Sequence, residues 1–125
     1  MDAAIIYGLI DPKDHTVKYV GQCRDMHVRY QGHMNAAASG VKLPVYGWIR
    51  NIKPGQPQLV ILEIVRANKQ VEVRPGQYRA LGSIVEAKWL KRFRRTALNV
   101  TQQCAAAMDD FVNPPGLNPE YLTEE

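Results

Sequence analysis

A β-hairpin predicted at the start of the chain constrains the fold more than any other feature of the sequence. Residues 4–10 are apolar and rich in β-branched and aromatic types, and they end at a turn-forming stretch, Asp-Pro-Lys-Asp, over residues 11–14. Residues 16–20 alternate between polar and apolar types. Two such runs joined by turn-forming residues are typical of antiparallel strands. The chain is therefore expected to contain a sheet.

Two segments after the hairpin have the features of helices. Asp25 can cap a helix over residues 26–38, and the Ser-Gly pair that follows would end it. Residues 44–52 place apolar side chains three and four positions apart, which is the spacing of a short amphipathic helix. We expect both helices to flank the sheet.

The second half of the chain predicts one more strand and one more helix. Residues 59–65 form an apolar run of strand length, which we expect to be central in the sheet. Residues 66–80 are polar and predict either a mobile loop or a ragged hairpin. Residues 83–95 are the clearest helix, because Ser83 and Glu86 have the spacing of a capping box and an apolar stripe follows.

The order of these elements predicts a small α/β (α+β) domain. Two strands, two helices, a strand and a helix suit a three-stranded antiparallel sheet flanked by helices. At 125 residues the chain has the length of one domain. We expect this domain over residues 1–108, followed by an acidic, proline-containing C-terminal tail over residues 109–125.

Charge is distributed unevenly along the chain. Residues 1–108 contain all sixteen Lys and Arg residues and seven of the twelve Asp and Glu residues, which gives a net charge of +9. Residues 109–125 contain the other five acids. A basic domain is typical of proteins that bind a polyanion, although many ordinary proteins are basic as well.

Other classes of protein do not suit this sequence. No apolar run approaches the ~18 residues of a membrane span, and the N-terminus lacks the pattern of a signal peptide. Two cysteines are too few for a disulfide scaffold or a four-cysteine zinc site. We expect a cytoplasmic or nucleoid-associated protein with no membrane partner.

Two tripeptides of the predicted hairpin begin a longer pattern. Ile5-Ile6-Tyr7 is followed, after eleven residues, by Tyr19-Val20-Gly21. An arginine, a histidine, a glutamate and an asparagine then follow in order. With the two tyrosines, this pattern over residues 4–100 resembles the signature of the GIY-YIG endonuclease family, except that Ile5 stands at the family's leading glycine. The six residues that carry the resemblance are Tyr7, Tyr19, Arg29, His33, Glu86 and Asn99.

The resemblance implies a divalent-metal-dependent DNA endonuclease. Such an enzyme hydrolyses phosphodiester bonds, leaves 3′-OH and 5′-phosphate ends, and uses one Mg²⁺ or Mn²⁺ ion per site. Whether the tyrosine or the histidine takes the proton of the attacking water stays open. The implied roles are metal binding by Glu86, stabilisation of the charged phosphate by Arg29, proton transfer by Tyr7 or His33, positioning of the site by Tyr19 and support of the architecture by Asn99.

The same residues admit a structural interpretation beside the functional one. Arg29 and His33 lie four residues apart, so one helix face can present both to a phosphate, but such a face is often simply solvated. Glu86 is a lone carboxylate on a basic helix, of the kind that holds Mg²⁺ together with waters. A capping box explains Glu86 without any function. Tyr7 and Tyr19 can equally be packing residues of the sheet.

Basic side chains outside the six are expected to contact the DNA backbone without reading its sequence. One site cuts one strand, so cleavage of both strands requires a homodimer, a partner protein or two encounters. The alternative function is a non-catalytic nucleic-acid-binding module that retains the same fold, and Ile5 is the sequence feature that favours it. The expected DNA contacts are Lys18, Lys88, Lys91, Arg92 and Arg95.

Overall fold

The structure, a computed structural model, describes residues 3–99. The predicted domain boundary at residue 108 and the acidic tail over residues 109–125 lie outside the described residues. The elements are β1 (Ala3–Ile10), β2 (Val17–Cys23), α1 (Met26–Ala38), α2 (Pro44–Asn51), β3 (Gln58–Arg66), β4 (Gln70–Arg74), β5 (Gln77–Ala80) and α3 (Leu81–Arg92).

Strands β1, β2 and β3 form an antiparallel sheet in the order β2-β1-β3. The predicted fold class, a three-stranded antiparallel sheet with helices, is therefore confirmed. The prediction that residues 59–65 form the central strand is wrong, because β1 occupies the centre and β3 lies at an edge. An apolar run predicts a strand but does not say which faces of that strand other elements cover. In β3, Ile61 and Ile64 remain 50% and 57% exposed.

The β1–β2 hairpin sets the register on which the site depends. Tyr7 pairs with Gly21, and the preceding residue Ile6 pairs with Gln22. Successive side chains of a strand point to opposite faces, so these two neighbouring pairs lie on opposite faces of the sheet. Ile6 belongs to the core cluster that includes Val85 of α3, so the Ile6–Gln22 pair faces α3. The Tyr7–Gly21 pair faces the other way, toward α1.

Residues 66–80 form a second, two-stranded sheet from β4 and β5. Of the two predicted alternatives, the structure has the hairpin, and Gly76 at φ +75° makes its turn. Val71 and Val73 are buried and join the core cluster beneath α3. The hairpin is thus held to the domain by apolar side chains that alternate with polar ones along β4.

The helices agree closely with the predicted bounds, with one exception. Asp25 caps α1, as predicted, because its Oδ1 accepts a hydrogen bond of 3.1 Å from the backbone N–H of Val28. Helix α3 begins at Leu81 without a side-chain cap. The predicted capping box of Ser83 and Glu86 is therefore wrong.

Helices cover the two faces of the sheet from different parts of the chain. Helix α3 packs against β1, β2 and β3, and helices α1 and α2 pack against each other around Ala37, Val45 and Ile49. Within residues 3–99, no helix has the length and apolar character needed to cross a membrane. The domain is therefore a sheet between an α3 layer and an α1–α2 layer.

Candidate active site

The hydroxyl of Tyr7 is the centre of a buried hydrogen-bonded cluster. Tyr7 lies in the central strand and its side chain is 1% exposed. Its hydroxyl oxygen is 2.7 Å from Nε2 of His33 and accepts a hydrogen bond of 3.2 Å from Nε of Arg29. Three of the residues from the sequence pattern therefore make direct contact, although 26 positions separate the first from the last.

Helix α1 presents Arg29 and His33 to the tyrosines because the two residues lie one turn apart on the same face. A terminal nitrogen of Arg29 donates a hydrogen bond of 3.3 Å to the hydroxyl of Tyr19. The ring of Tyr19 meets the ring of His33 edge-on, with 4.7 Å between centroids. Asp25 caps the start of this helix, one turn before Arg29.

His33 is fully buried and is bonded on both sides of its ring. Its Nδ1 lies 3.2 Å from the hydroxyl of Tyr46, which belongs to α2. Burial and, secondarily, the positive charge of Arg29 lower the pKa of His33 to about 4, so the ring is neutral at pH 7. Burial, and next the neighbouring Tyr19, raise the pKa of the Tyr7 phenol, which is therefore protonated.

One arrangement of protons satisfies every group in this cluster. Arg29 donates to the oxygen of Tyr7, and the hydroxyl of Tyr7 donates to Nε2 of the neutral His33. The protonated Nδ1 of His33 then donates to the oxygen of Tyr46. The opposite tautomer would leave the buried hydroxyl proton of Tyr7 without an acceptor, which is costly. The result is a directed chain from phenol to imidazole to phenol.

Gly21 is required by the close approach of the two tyrosines. A Cβ atom at this position would lie 2.6 Å from the hydroxyl oxygen of Tyr7 and 2.8 Å from Cε1 of Tyr19. Real Cβ atoms do not approach other atoms so closely, and Tyr7 is fixed by its other bonds. The glycine of the Tyr-Val-Gly tripeptide therefore provides the space into which the phenol of Tyr7 fits. Ile5 stands where the GIY-YIG pattern has its leading glycine, and the cluster forms with this isoleucine in place.

Glu86 of α3 lies on the opposite face and is held by Gln22. Its Oε1 accepts a hydrogen bond of 3.3 Å from Nε2 of Gln22, which replaces the expected capping contact. Burial raises the pKa of the Glu86 carboxyl, while the bond from Gln22 and the charge of Arg29 act in the opposite direction. Gly82 has no side chain, and a Cβ atom there would overlap the amide of Gln22. The orientation of Glu86 is therefore set by its neighbours.

The donor set around Glu86 fits one mode of metal binding. Within residues 3–99 there is no group of three or more His, Cys, Asp and Glu side chains that could hold a metal ion by themselves. Mg²⁺, however, is often held by one or two carboxylates, with waters and substrate phosphates completing its shell. Glu86 supplies one partly desolvated carboxylate, and the positive charge of a bound ion would offset the cost of its burial. Glu86 is the residue that would hold such an ion.

Asn99 supports the site without contacting Tyr7. Its Nδ2 donates a bond of 2.8 Å to the carbonyl of Val20, and its Oδ1 accepts a bond of 3.4 Å from the N–H of the same residue. Val20 is adjacent to Gly21 in β2. The side-chain amide of Asn99 thus bonds both backbone groups of Val20, the residue next to the glycine that lies beside the tyrosines.

The residues expected to contact DNA differ in their exposure to solvent, and Lys88 is the buried one. Lys88 is only 5% exposed, and its Nζ lies 2.7 Å from Oε1 of Glu63. The Nε1–H of Trp89 donates to the same oxygen at 2.8 Å. Lys88 therefore faces the core and neutralises a carboxylate of β3, an environment that does not favour its predicted contact with DNA.

The other expected contacts remain accessible. Lys18 is partly exposed on β2, and its carbonyl accepts a hydrogen bond from the N–H of Leu98. At the end of α3, a concave pocket of about 380 Å³ has a strongly basic lining. It is lined by Lys91, Arg92, Phe93, Arg94, Arg95 and Thr96.

Two residues of the site were not found by sequence reasoning. Tyr46 holds the outer nitrogen of His33, and Gln22 holds Glu86. Tyr46 lies within a predicted helix and Gln22 directly follows a motif glycine, but neither position carries a pattern of its own. Their roles appear only when α1 packs on α2 and β2 packs on α3.

Comparison of the chain with protein-family models, with curated proteins and with solved structures finds no match. The chemistry of the site therefore rests on its own side chains. These are a guanidinium bonded to two phenols, a neutral imidazole between two phenols, and a partly buried carboxylate. Together they offer positive charge for an anion, a route for a proton and a ligand for a hard cation.

Proposed function

We propose that this protein is a divalent-metal-dependent DNA endonuclease of the GIY-YIG type, which hydrolyses phosphodiester bonds. The observation that carries the proposal is the direct contact of Tyr7 with both Arg29 and His33. A pattern drawn from separate parts of the sequence thereby coincides with one hydrogen-bonded cluster. Packing alone would not require a cation and a neutral base on the same buried hydroxyl.

In this proposal, Arg29 binds the phosphate whose bond is cut. Its side chain is exposed, and among the described residues two of its five N–H groups bond to tyrosines. The remaining N–H groups are available to phosphate oxygens in the bidentate geometry that guanidinium favours. Because the two phenols hold the guanidinium in place, its charge is already oriented when the phosphate becomes more negative during the reaction.

The proton of the attacking water leaves through Tyr7 to His33. As the phenol oxygen takes the proton of the water, the phenol's own proton passes to Nε2 of His33, 2.7 Å away. A free phenolate, which burial disfavours, is then never formed. A phosphate bound at Arg29 offsets the positive charge that helps to lower the pKa of His33. His33 is thus a better base with substrate present than without it.

Glu86 holds the divalent ion in this proposal. When bound, Mg²⁺ or Mn²⁺ supplies positive charge for the leaving 3′ oxygen. Gln22 fixes one carboxylate oxygen and leaves the other for a ligand. The result of the reaction is a 3′-OH end and a 5′-phosphate end.

A non-catalytic nucleic-acid-binding module is the second candidate function. Two observations favour it: Tyr7 is 1% exposed, so a water molecule must reach a deeply placed hydroxyl, and Ile5 replaces the family's glycine two residues earlier. Such a module would use the basic residues near the end of α3 and leave the phenol as a structural group.

The test is cleavage of supercoiled plasmid by the parent chain with Mg²⁺, with Mn²⁺ and with a chelator. We expect nicked DNA only with metal, and at least a hundredfold loss of rate in Glu86→Gln. Glu72→Gln, which changes an exposed acid of β4, is the matched control and should cut like the parent.

The order in which nicked and linear DNA appear shows whether a homodimer or a partner protein takes part in cleavage. Nicked circles that precede linear DNA indicate one active site per encounter, whereas direct linearisation indicates a homodimer or a partner protein. DNA binding without metal-dependent cleavage, on plasmid and on branched DNA, would contradict the nuclease and favour the binding module.

A further inference from the structure

An exposed apolar stripe on β3 borders the candidate active site. It consists of Leu59, Ile61 and Ile64, which are 38%, 50% and 57% exposed, and we call it the β3 stripe. Ile61 is the residue of β3 that lies opposite Tyr7 in the sheet. Directly opposed residues share a face, so the stripe lies on the same face as the buried phenol. Contiguous large apolar side chains at a protein surface are characteristic of an interaction site.

Strand addition by a second copy of the chain is disfavoured at this place. The ladder between β1 and β3 shifts register between Ile6 and Tyr7, and such a bulge disturbs a strand edge. Glu63 of β3 also directs a charge inward, where it pairs with Lys88. Bulges and inward charges are devices that protect edge strands from pairing. Each whole chain carries a net charge of +4, so two copies also repel each other.

We propose that residues 109–125 of the same chain dock on the β3 stripe and cover the candidate active site. This segment has five acidic residues and no Lys or Arg, so its charge is complementary to the basic domain. Between its acids it carries apolar residues of the kind that the stripe would bury. These are Phe111, Val112, Leu117, Tyr121 and Leu122.

The chain is long enough to reach the stripe. The last described residue, Asn99, is bonded to Val20 on β2. From β2 to β3 is two strand spacings, about 10 Å. Residues 100–108 can span about 30 Å when extended, so the acidic segment can cross the sheet from β2 to β3.

Docking of the segment would regulate the site by competition. With the apolar residues on the β3 stripe, the acids would come near Arg29, which bonds to tyrosines on the same face of the sheet. They then compete with phosphate for the same positive charge. The effect on DNA rests on the proposed function, whereas the docking itself does not.

The first experiment measures amide hydrogen exchange in residues 109–125 of the full chain without DNA. The variant is Ile61→Ser with Ile64→Ser, which removes the apolar surface and keeps the net charge. Tyr78→Ser is the matched control, because Tyr78 is 56% exposed on the separate β4–β5 hairpin. We expect slower exchange in the parent and the control than in the double variant. Equal exchange in all three proteins would overturn the proposal.

The second experiment measures the dissociation constant for a 20-base-pair duplex without metal. The double serine variant, and separately Asp109→Asn with Asp110→Asn, should bind about threefold to tenfold more tightly, because a tethered segment competes at a millimolar effective concentration. Tyr78→Ser should match the parent. Unchanged affinity in both double variants would overturn the competitive role.

Light scattering shows whether residues 109–125 or a second copy of the chain covers the β3 stripe. A dimer of the parent that dissociates in the double serine variant would overturn the proposal in favour of a second copy. A protein that cuts no DNA but still protects residues 109–125 through the β3 stripe would refute the nuclease and leave the docking in place. The two proposals can therefore fail independently.

Discussion

The hydroxyl oxygen of Tyr7 lies 2.7 Å from Nε2 of His33, and this contact joins the central strand of the sheet to the first helix. Both side chains are 1% exposed. A short hydrogen bond between two buried groups is both a structural tie and a route for a proton.

Tyr7→Phe should reduce the rate of DNA cleavage by about a hundredfold or more, which is the usual contribution of acid–base catalysis. It leaves the imidazole and the guanidinium without their shared partner, so the free energy of unfolding should fall by about 1–3 kcal/mol. Nicking assays and urea denaturation measure the two effects. Tyr78→Phe, on an exposed tyrosine, should change neither. A Tyr7→Phe enzyme that cuts at the parent rate would refute the proton route.

The free energy of unfolding should fall as the pH decreases from 7 to 4. His33 takes up a proton below pH 6.5 in the unfolded chain but only below about pH 4 in the folded protein. Between these values the unfolded state binds the extra proton and is favoured. The loss from this residue should be about 2 kcal/mol between pH 7 and pH 5.

Urea denaturation of two histidine variants isolates this dependence. His33→Gln should lose most of the pH dependence, because the titrating group is gone. His27→Gln, which changes an exposed histidine of the same helix, should keep the dependence of the parent. If the three proteins respond to pH alike, the histidine in the cluster is not the group that titrates.

Gly21→Ala should disrupt the cluster, because its Cβ atom would lie 2.6 Å from the hydroxyl oxygen of Tyr7. We expect a loss of about 1–3 kcal/mol in the free energy of unfolding, together with a loss of cleavage. Gly32→Ala is the control, because nothing lies within 4 Å of a Cβ atom there. In a helix that change should stabilise by about 0.5–1 kcal/mol. Thermal denaturation of both variants gives the comparison, and the opposite order of stability would contradict the packing described.

Lys88→Met should lower the free energy of unfolding by about 3 kcal/mol, because it leaves the carboxylate of Glu63 without its cation. The double variant Lys88→Met with Glu63→Leu should recover much of this loss. DNA affinity at fixed salt should not change in either variant, since Lys88 is buried. A large fall in affinity in a fully folded Lys88→Met protein would instead assign this lysine to the DNA surface.

Local features of the fold were predictable from the sequence. Asp25 and the spacing of apolar residues give the first two helices almost to the residue, because caps and periodicity act over a few positions. The edge position of β3 was not predictable in the same way. An apolar run of strand length is equally compatible with a centre and with an edge, and only the placement of the helices decides between them.

The candidate site was predictable to the extent that its residues follow a pattern. The order of Tyr7, Tyr19, Arg29 and His33 in the sequence corresponds to a set of side chains in direct contact. Gln22 was missed because a single polar residue in a strand has many uses. The burial of Lys88 was not predictable, because a charge on a basic helix is expected to face solvent, whereas Glu63 supplies a partner from the sheet.

The pairing of Tyr7 with Gly21 also makes the site dependent on the register between β1 and β2. Gly21 and Gln22 are consecutive, yet one makes room for the phenol beside α1 and the other holds Glu86 of α3. A slip of one residue between β1 and β2 would exchange their faces and put a glutamine where the phenol needs space. A misregistered hairpin could therefore retain its backbone hydrogen bonds and still assemble neither half of the site. Activity at this site would therefore show that β1 and β2 have folded in their native register.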